Sequence, residues 1–96
     1  MMILLTYDID VTTKDGTRRL RDISKVCEQY GIRVQNSVFE MLIDPHQLEL
    51  LRATLNGLMD QKLDSIRLYR LGKNYQPRIE VLGRDQEIKQ DGLMAV

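Results

Sequence analysis

The chain begins with an apolar run of strand length, and this run constrains the fold more than any other feature of the sequence. The run from Met2 to Asp8 contains no glycine or proline and ends in a carboxylate. Apolar residues on both faces are typical of a strand that is covered on both sides, as at the centre of a sheet. A polar loop from Asp10 to Gly16 follows, so Asp8 lies at the end of a rigid strand, where it could hold a metal ion. The alternative is a turn in which the same carboxylate accepts backbone N–H groups.

Composition limits the classes of protein to which the chain can belong. Its 96 residues suffice for one domain with a modest core. Because 14 lysines and arginines balance 14 acidic residues, a uniformly basic surface is excluded, and any contact with nucleic acid must come from local clusters of charge. The single cysteine excludes an internal disulfide. The apolar run is too short to span a bilayer and lacks the features of a signal peptide, so we expect a cytoplasmic protein without membrane contact.

The segment Arg18–Tyr30 has helical periodicity, with an apolar stripe that includes Cys27. We therefore interpret this cysteine as a core residue. Gly31 follows at the position where a residue in the left-handed conformation commonly ends a helix. Three arginines occupy the first turns, although cations near a helix N-terminus oppose the helix dipole. This pattern indicates phosphate contact about as strongly as it indicates a solvated face. The arginines are Arg18, Arg19 and Arg21.

The middle of the chain combines a strand pattern with a well-marked helix start. Val34 and the segment Val38–Ile43 are strand-like, and the polar residues between them form either a hairpin turn or a kink in one bent strand. Asp44–Gln47 then has the features of a capping box, with proline at the first helical position. His46 lies in the exposed first turn of this helix without partners at metal-binding spacing. We interpret it as a surface residue.

Two further strand patterns complete the topology. Residues Asp64–Leu71 alternate between apolar and polar, and Ile79–Leu82 form a short final apolar segment. The order of elements predicts an α+β, ferredoxin-like βαββαβ domain with a short extra C-terminal strand over residues 1–83, and a C-terminal tail over residues 84–96. Because two helices cover only one face of such a sheet, we expect a homodimer. The last strand would then pair with an open sheet edge, in its own chain or in the partner.

Several of these segments together resemble the CRISPR-associated protein 2 family, the smaller of the two core spacer-acquisition proteins. The resemblance covers most of residues 2–82, and its most specific part is the Val-Gln-Asn-Ser-Val-Phe-Glu segment. The segments that carry the resemblance are Thr6–Asp8, Arg18–Arg21, Tyr30–Glu40 and Asp64–Gly72.

The resemblance implies a homodimer in which two copies of Asp8, the catalytic residue, face each other and share a Mg²⁺ or Mn²⁺ ion. It implies an endonuclease that acts on double-stranded DNA or single-stranded RNA and leaves a 5′-phosphate and a 3′-hydroxyl. It further implies an acquisition complex in which the dimer bridges an integrase partner and carries the protospacer duplex. The expected nucleic-acid-binding residues are Arg18, Arg19, Arg21 and Arg33, with Lys14 and Lys25 as weaker candidates, and the motif residues that could support the site are Tyr7, Ser37 and Phe39.

Other interpretations of the same residues remain open. The protein could be a non-catalytic DNA-binding adaptor of the acquisition complex, or, outside the family, a small ligand-binding regulatory module. Asp10 is a possible second acid, but we do not expect it to be a metal ligand. Phe39 is more consistent with packing than with stacking on a base.

Overall fold

A computed structural model defines the fold, and the structure describes residues 1–85. The elements in chain order are β1 (Met2–Asp8), α1 (Gly16–Tyr30), β2 (Ile32–Gln35), β3 (Val38–Leu42), α2 (Pro45–Leu58), β4 (Ser65–Gly72) and a 3₁₀ turn (Gln76–Arg78). The strands form one antiparallel sheet in the order β2-β3-β1-β4. The α+β, ferredoxin-like prediction is therefore confirmed, and β1 lies between two partners as its apolar sequence predicted.

Both helices cover the same face of the sheet, and the core lies between the two layers. Ile3 and Leu5 of β1 and Met41 of β3 are fully buried there, together with Cys27 of α1. The interpretation of Cys27 as a core residue is confirmed, and burial raises the pKa of its thiol to about 12. The cysteine therefore packs as a small neutral apolar group. Within residues 1–85, neither helix has both the length and the apolar character needed to cross a bilayer.

The start of α2 has the capping box that the sequence predicted. The Gln47 N–H donates to the Asp44 carboxylate at 2.7 Å, and the Asp44 N–H donates to the Gln47 side-chain oxygen at 3.0 Å. This reciprocal pair satisfies two backbone donors that a helix end would otherwise leave without partners. His46 is exposed in this first turn, as expected.

The polar interruption between the second and third strand patterns is a hairpin turn. Asn36 and Ser37 connect β2 to β3, which pair antiparallel with a register shift between Arg33 and Gln35. The Tyr7 N–H donates to the Ser37 carbonyl at 3.1 Å, and the Tyr7 hydroxyl donates to the Asn36 carbonyl at 3.3 Å. These bonds hold the hairpin turn against the end of β1, and therefore close to Asp8.

The prediction of a left-handed Gly31 is wrong. Its backbone is extended, with φ −164° and ψ −165°, a conformation that any residue can adopt. Glycine is needed for space instead, because a Cβ built at Gly31 would lie 2.4 Å from the Glu40 carbonyl oxygen and 2.4 Å from the Met41 Cγ. The end of α1 thus packs directly against the backbone of β3, a tertiary contact that no local sequence pattern reveals.

We expect Gly31→Ala to destabilise the fold by about 1–3 kcal/mol, because the new methyl group must displace strand backbone as well as a flexible side chain. The matched control is Gly57→Ala, since Gly57 lies in α2 with no atom within 4 Å of the corresponding Cβ. That change should leave stability unchanged or raise it by up to about 1 kcal/mol. Urea unfolding of both variants tests the comparison. Equal stability of the two would contradict the packing argument.

The other sheet face carries no helix, and the chain beyond β4 turns across it. Leu4 and Val38 line a cavity of about 650 Å³ between this face and the segment containing Ile79 and Val81. The predicted C-terminal strand is not formed here, because residues 79–85 make no ladder with the sheet of their own chain, although Ile79 has extended dihedrals. The last part of the predicted tail, residues 86–96, lies outside the described residues.

Candidate active site

Asp8 is the last residue of β1 and faces solvent at the end of the sheet. It lies opposite Ser65 in the β1–β4 ladder, which fixes the direction of its backbone, whereas the β1–β3 ladder ends two residues earlier at Thr6. The residue is exposed, and its carboxylate has no hydrogen bond or ion pair to any other part of residues 1–85. The turn-capping alternative is therefore not what the structure shows. An acid with this placement is available to bind a ligand.

The donor set at Asp8 fits a hard divalent cation that takes few protein ligands. Within residues 1–85, no group of three or more acidic, histidine or cysteine side chains is close enough to hold a metal ion. At this position, the described part of one chain therefore offers the single carboxylate of Asp8, which is too little for a closed protein cage. Mg²⁺ commonly uses only one or two carboxylates and completes its octahedron with water and substrate phosphate. Two copies of Asp8, one from each subunit of a dimer, would meet this requirement.

Asp10 has a local structural role. Its Oδ1 accepts hydrogen bonds from the Thr12 N–H at 2.8 Å and from the Thr12 hydroxyl. Both hydrogen bonds lower the pKa of the Asp10 carboxyl below its ordinary value, and the bond from the Thr12 hydroxyl has the larger effect. The residue thus stabilises the turn after β1.

Asp64 is a functional candidate that the sequence analysis missed. It directly precedes β4, its side chain is 0% exposed, and its carboxylate accepts the Arg19 Nε–H at 2.8 Å and the Asp60 N–H at 2.8 Å. The carboxylate also accepts the Asp10 N–H at 3.0 Å, and the Arg19 Nη2 donates to the Asp10 carbonyl at 3.2 Å. One buried carboxylate therefore connects the loop after Asp8 to the start of β4, to the loop after α2 and to α1.

The charged form of the Asp64 carboxyl is favoured in the folded protein. Burial alone would raise the pKa of its carboxyl, but the hydrogen bond from Arg19 and the backbone bonds from Asp60 and Asp10 outweigh it, and the pKa is lowered. The same ion pair raises the pKa of the Arg19 guanidinium. Gly16 contributes to this packing, since a Cβ there would lie 2.0 Å from the Asp10 carbonyl oxygen. The start of α1 is thus tightly seated on the loop that follows Asp8.

The structure places the four candidate arginines in three different environments. Arg19 has its guanidinium in the buried ion pair with Asp64, and only 13% of its side chain is exposed. Arg33 donates to the Glu28 carboxylate at 2.8 Å, to the Asn36 carbonyl at 2.7 Å and to the Ser24 hydroxyl. Arg18 and Arg21 project into solvent and have only exposed ion pairs, at 3.5 Å and 3.7 Å, with nearby aspartates of the same segment.

The motif aromatics support the site from the interior. Phe39 is fully buried, its ring lies 6.1 Å from that of Tyr7, and the Arg33 Cζ lies 5.0 Å from the Phe39 ring centroid. A ring with no exposed surface cannot stack on a base, so packing is the role that the structure supports for Phe39. Ser37 lies in the hairpin turn beside Tyr7, with its carbonyl hydrogen-bonded to β1. These residues orient the end of β1. The weaker candidates Lys14, in the loop after β1, and Lys25, on α1, are both exposed.

Comparisons with known proteins agree with this geometry. Residues 1–79 match the family described as CRISPR associated protein Cas2. The chain is 47% identical to the CRISPR-associated endonuclease Cas2 of Halalkalibacterium halodurans, over 92% of each chain. It is 48% identical to the CRISPR-associated endoribonuclease Cas2 of Chlorobaculum tepidum, over 98% of each chain. The crystal structure of Streptococcus pyogenes Cas2 superposes with a TM-score of 0.76 at 49% identity, covering 86% of this chain and 100% of that one.

Proposed function

Since the chain belongs to the Cas2 family of CRISPR-associated proteins, we propose that it is a metal-dependent endonuclease whose catalytic residue is Asp8. The observation that carries this proposal is the exposed carboxylate at the end of the central strand, which has no partner within residues 1–85. The relatives bear the names endonuclease and endoribonuclease, so both double-stranded DNA and single-stranded RNA are candidate substrates. The reaction class is hydrolysis of a phosphodiester bond, with a 5′-phosphate and a 3′-hydroxyl as product ends.

A homodimer would complete the site. Each chain contributes one Asp8, and two carboxylates related by a two-fold axis could share one Mg²⁺ or Mn²⁺ ion. When bound, such an ion polarises the phosphodiester and lowers the pKa of a coordinated water. The helix-free sheet face and the exposed apolar residues Leu42, Val81 and Leu82 support association of two copies through this face. The tail segment could then find the strand partner that it lacks in its own chain.

The chain's own residues would hold and orient the reacting groups. The ladder between β1 and β4 fixes the backbone of Asp8, and the carboxylate of Asp64 fixes the loop that follows it. Preorganisation of this kind means that the backbone carrying the catalytic carboxylate does not have to be ordered when the substrate arrives. Arg18 and Arg21 are free of buried ion pairs and could neutralise phosphates that flank the cleaved bond. Because Arg19 and Arg33 are held by Asp64 and Glu28, Arg18 and Arg21 carry the proposal for phosphate contacts.

The test of this function is cleavage of duplex DNA and single-stranded RNA by the purified protein with Mg²⁺, with Mn²⁺ and with a chelator. We expect metal-dependent cleavage of at least one substrate, with 5′-phosphate ends that a ligase can join. Cleavage that persists in the chelator, or products with 3′-phosphate ends, would contradict the proposed chemistry.

The proposed phosphate contacts predict how the affinity for nucleic acid depends on salt concentration. We expect the double variant Arg18→Gln, Arg21→Gln to lower the slope of log affinity against log salt concentration by about one for each arginine, because each contact releases one condensed counterion. Binding titrations over a range of salt concentrations measure this slope. The control is Arg52→Gln, which removes an exposed α2 arginine whose Nη1 lies 3.3 Å from Glu49. An unchanged slope in the double variant would exclude these two arginines from the interface.

A second candidate function is that of a non-catalytic adaptor in the spacer-acquisition complex. It is favoured by the overall charge, since 14 basic and 14 acidic residues make tight binding of DNA by the dimer alone unfavourable. The dimer would then bridge an integrase partner in the cytoplasm and carry the protospacer duplex jointly with it. In a cellular acquisition assay, an adaptor retains function with Asp8→Asn but loses it with Arg18→Glu and Arg21→Glu. The opposite pattern would identify the nuclease as the biological activity.

A further inference from the structure

A cavity of about 540 Å³ opens beside Asp8, on the helical side of the sheet. Three elements bound it: the end of β1 with the loop after it, the first turns of α1, and the β2–β3 hairpin turn. Its volume is in the range of small-ligand sites, which is about 300–1,000 Å³. The residues on which the argument depends are Asp8, Ile9, Val11, Leu20, Arg21 and Asn36.

The inner walls of this cavity are apolar. Ile9 is buried, Leu20 is half-buried, and Val11 is 49% exposed at the mouth. An aliphatic side chain that projects beside a charged site leaves apolar surface in water, and a flat aromatic ligand would cover it. The faces of nucleobases are such surfaces, and every base has one.

Polar groups at the mouth are placed to meet the edge of a base. The Asn36 carbonyl accepts from the Tyr7 hydroxyl and from Arg33, and these bonds hold the residue in position. Its side-chain amide and the Ser37 hydroxyl have no hydrogen-bond partner within residues 1–85. A side-chain amide supplies both a donor and an acceptor, the combination that base edges present.

The charges around the cavity favour a base over a phosphate inside it. The positive charge of Arg33 is already compensated by Glu28, whose Oε2 lies 2.8 Å from the Arg33 Nη2. Asp8 adds a negative charge to the wall, and burying a phosphate among apolar side chains would be costly. Arg21 is exposed and can reach the backbone of a strand that passes the mouth. A neutral base inside, with its phosphates outside near Arg21, avoids placing a phosphate beside Asp8 and among apolar side chains.

We propose that this cavity binds an unpaired nucleobase next to the phosphodiester that Asp8 serves. A base can enter it only when it is not paired, so the preferred substrate is a single strand or a duplex that has opened locally. The position of the cleaved bond relative to the cavity rests on the proposed nuclease function. Binding of the base does not rest on that function, because residues besides Asp8 also form the cavity.

The test compares two single-stranded oligonucleotides of equal length and charge, one intact and one built entirely from abasic nucleotides. Binding to the full-length protein is measured in a chelator, so that no cleavage takes place. We expect the intact strand to bind about tenfold tighter, since stacking and burial of one base contribute on this scale. A fully paired duplex of the same length should bind more weakly than the intact single strand at equal salt concentration.

Substitutions in the cavity wall test whether the preference for the intact strand arises in this cavity. The double variant Val11→Ala, Asn36→Ala should reduce the tenfold preference for the intact strand to about twofold or less, because it removes exposed wall and edge contacts without opening the core. The matched control is Leu50→Ala on α2, since Leu50 is also 49% exposed but lies outside the cavity. This control should keep the full preference.

Three results would overturn the proposal. The first is equal affinity for intact and abasic strands, and the second is a preference that the double variant does not change. The third is loss of the dimer in the double variant, measured by analytical ultracentrifugation, which would assign the cavity to the partner copy. If the base preference is found but no metal-dependent cleavage occurs, the base site stands and the nuclease proposal alone fails.

Discussion

Asp64→Asn should destabilise the protein by at least about 3 kcal/mol, which corresponds to a fall in melting temperature of more than about 10 °C for a domain of this size. The variant removes a fully buried carboxylate that accepts from Arg19, Asp10 and Asp60. An asparagine in the same place has one acceptor oxygen, and its NH₂ group would face the donors of the guanidinium. The Arg19 guanidinium, only 13% of whose side chain is exposed, would then lose its hydrogen-bonded counter-charge. Urea unfolding at neutral pH measures the loss.

Acid should reduce the difference between wild type and this variant. The pKa of the Asp64 carboxyl is lower in the folded protein than its ordinary value of 3.8, so its contribution to stability is present above pH 3.8. The contribution is lost as the pH falls through the folded-state pKa. The two unfolding free energies should therefore converge below pH 3.8. A control, Glu49→Gln, removes an exposed α2 ion pair and should change stability little. A constant gap down to low pH would argue against a charge-based role.

The second prediction concerns the reaction itself. Asp8→Asn should lower the rate of metal-dependent cleavage by at least about a hundredfold, because the side chain loses the charge with which it would hold the cation. The fold and the proposed dimer should remain intact, since the exposed carboxylate has no partner within residues 1–85 that the change could break. Cleavage rates, circular dichroism and sedimentation, measured on the same preparation, test both statements.

A matched carboxylate-to-amide change controls for the loss of one negative charge. Glu49→Gln serves this purpose as well, because Glu49 is exposed on α2 and belongs to no part of the proposed site. It should leave the cleavage rate unchanged. Equal rates for wild type and Asp8→Asn would remove the central residue of the nuclease proposal. A hundredfold loss accompanied by unfolding or by dissociation of the dimer would mean that Asp8 is a structural residue.

Much of the fold could be predicted because it is encoded by local patterns. The apolar run of β1, the apolar stripe of α1 and the capping box at Asp44 each depend on residues within one element. The position of Asp8 follows from the first of these patterns, since a strand that ends in an acid leaves that acid at the edge of the sheet. The order of the elements then limited the topology to a ferredoxin-like sheet.

The remaining features depend on contacts between distant segments, which local patterns do not contain. Arg19 and Asp64 are separated by 45 positions, and in the sequence Arg19 is one of three similar arginines at the start of α1. Only the fold shows that its neighbours Arg18 and Arg21 are exposed while Arg19 is buried. Gly31 is a similar case, because its need for glycine comes from the backbone of β3. In the sequence, Asp64 is marked only by its position between the apolar Leu63 and a strand. That pattern is weak evidence for a buried ion pair.

The most direct test of the central claim, that Asp8 holds the metal, is the effect of Mn²⁺ on thermal stability. A ligand that binds only the folded protein raises its melting temperature, and no nucleic acid or contaminating nuclease enters the measurement. Wild type and Asp8→Asn are heated with increasing Mn²⁺ and with a chelator. We expect the melting temperature of wild type to rise with Mn²⁺ concentration and that of the variant to stay constant. An equal rise in both proteins would show that the metal binds elsewhere and would contradict the claim.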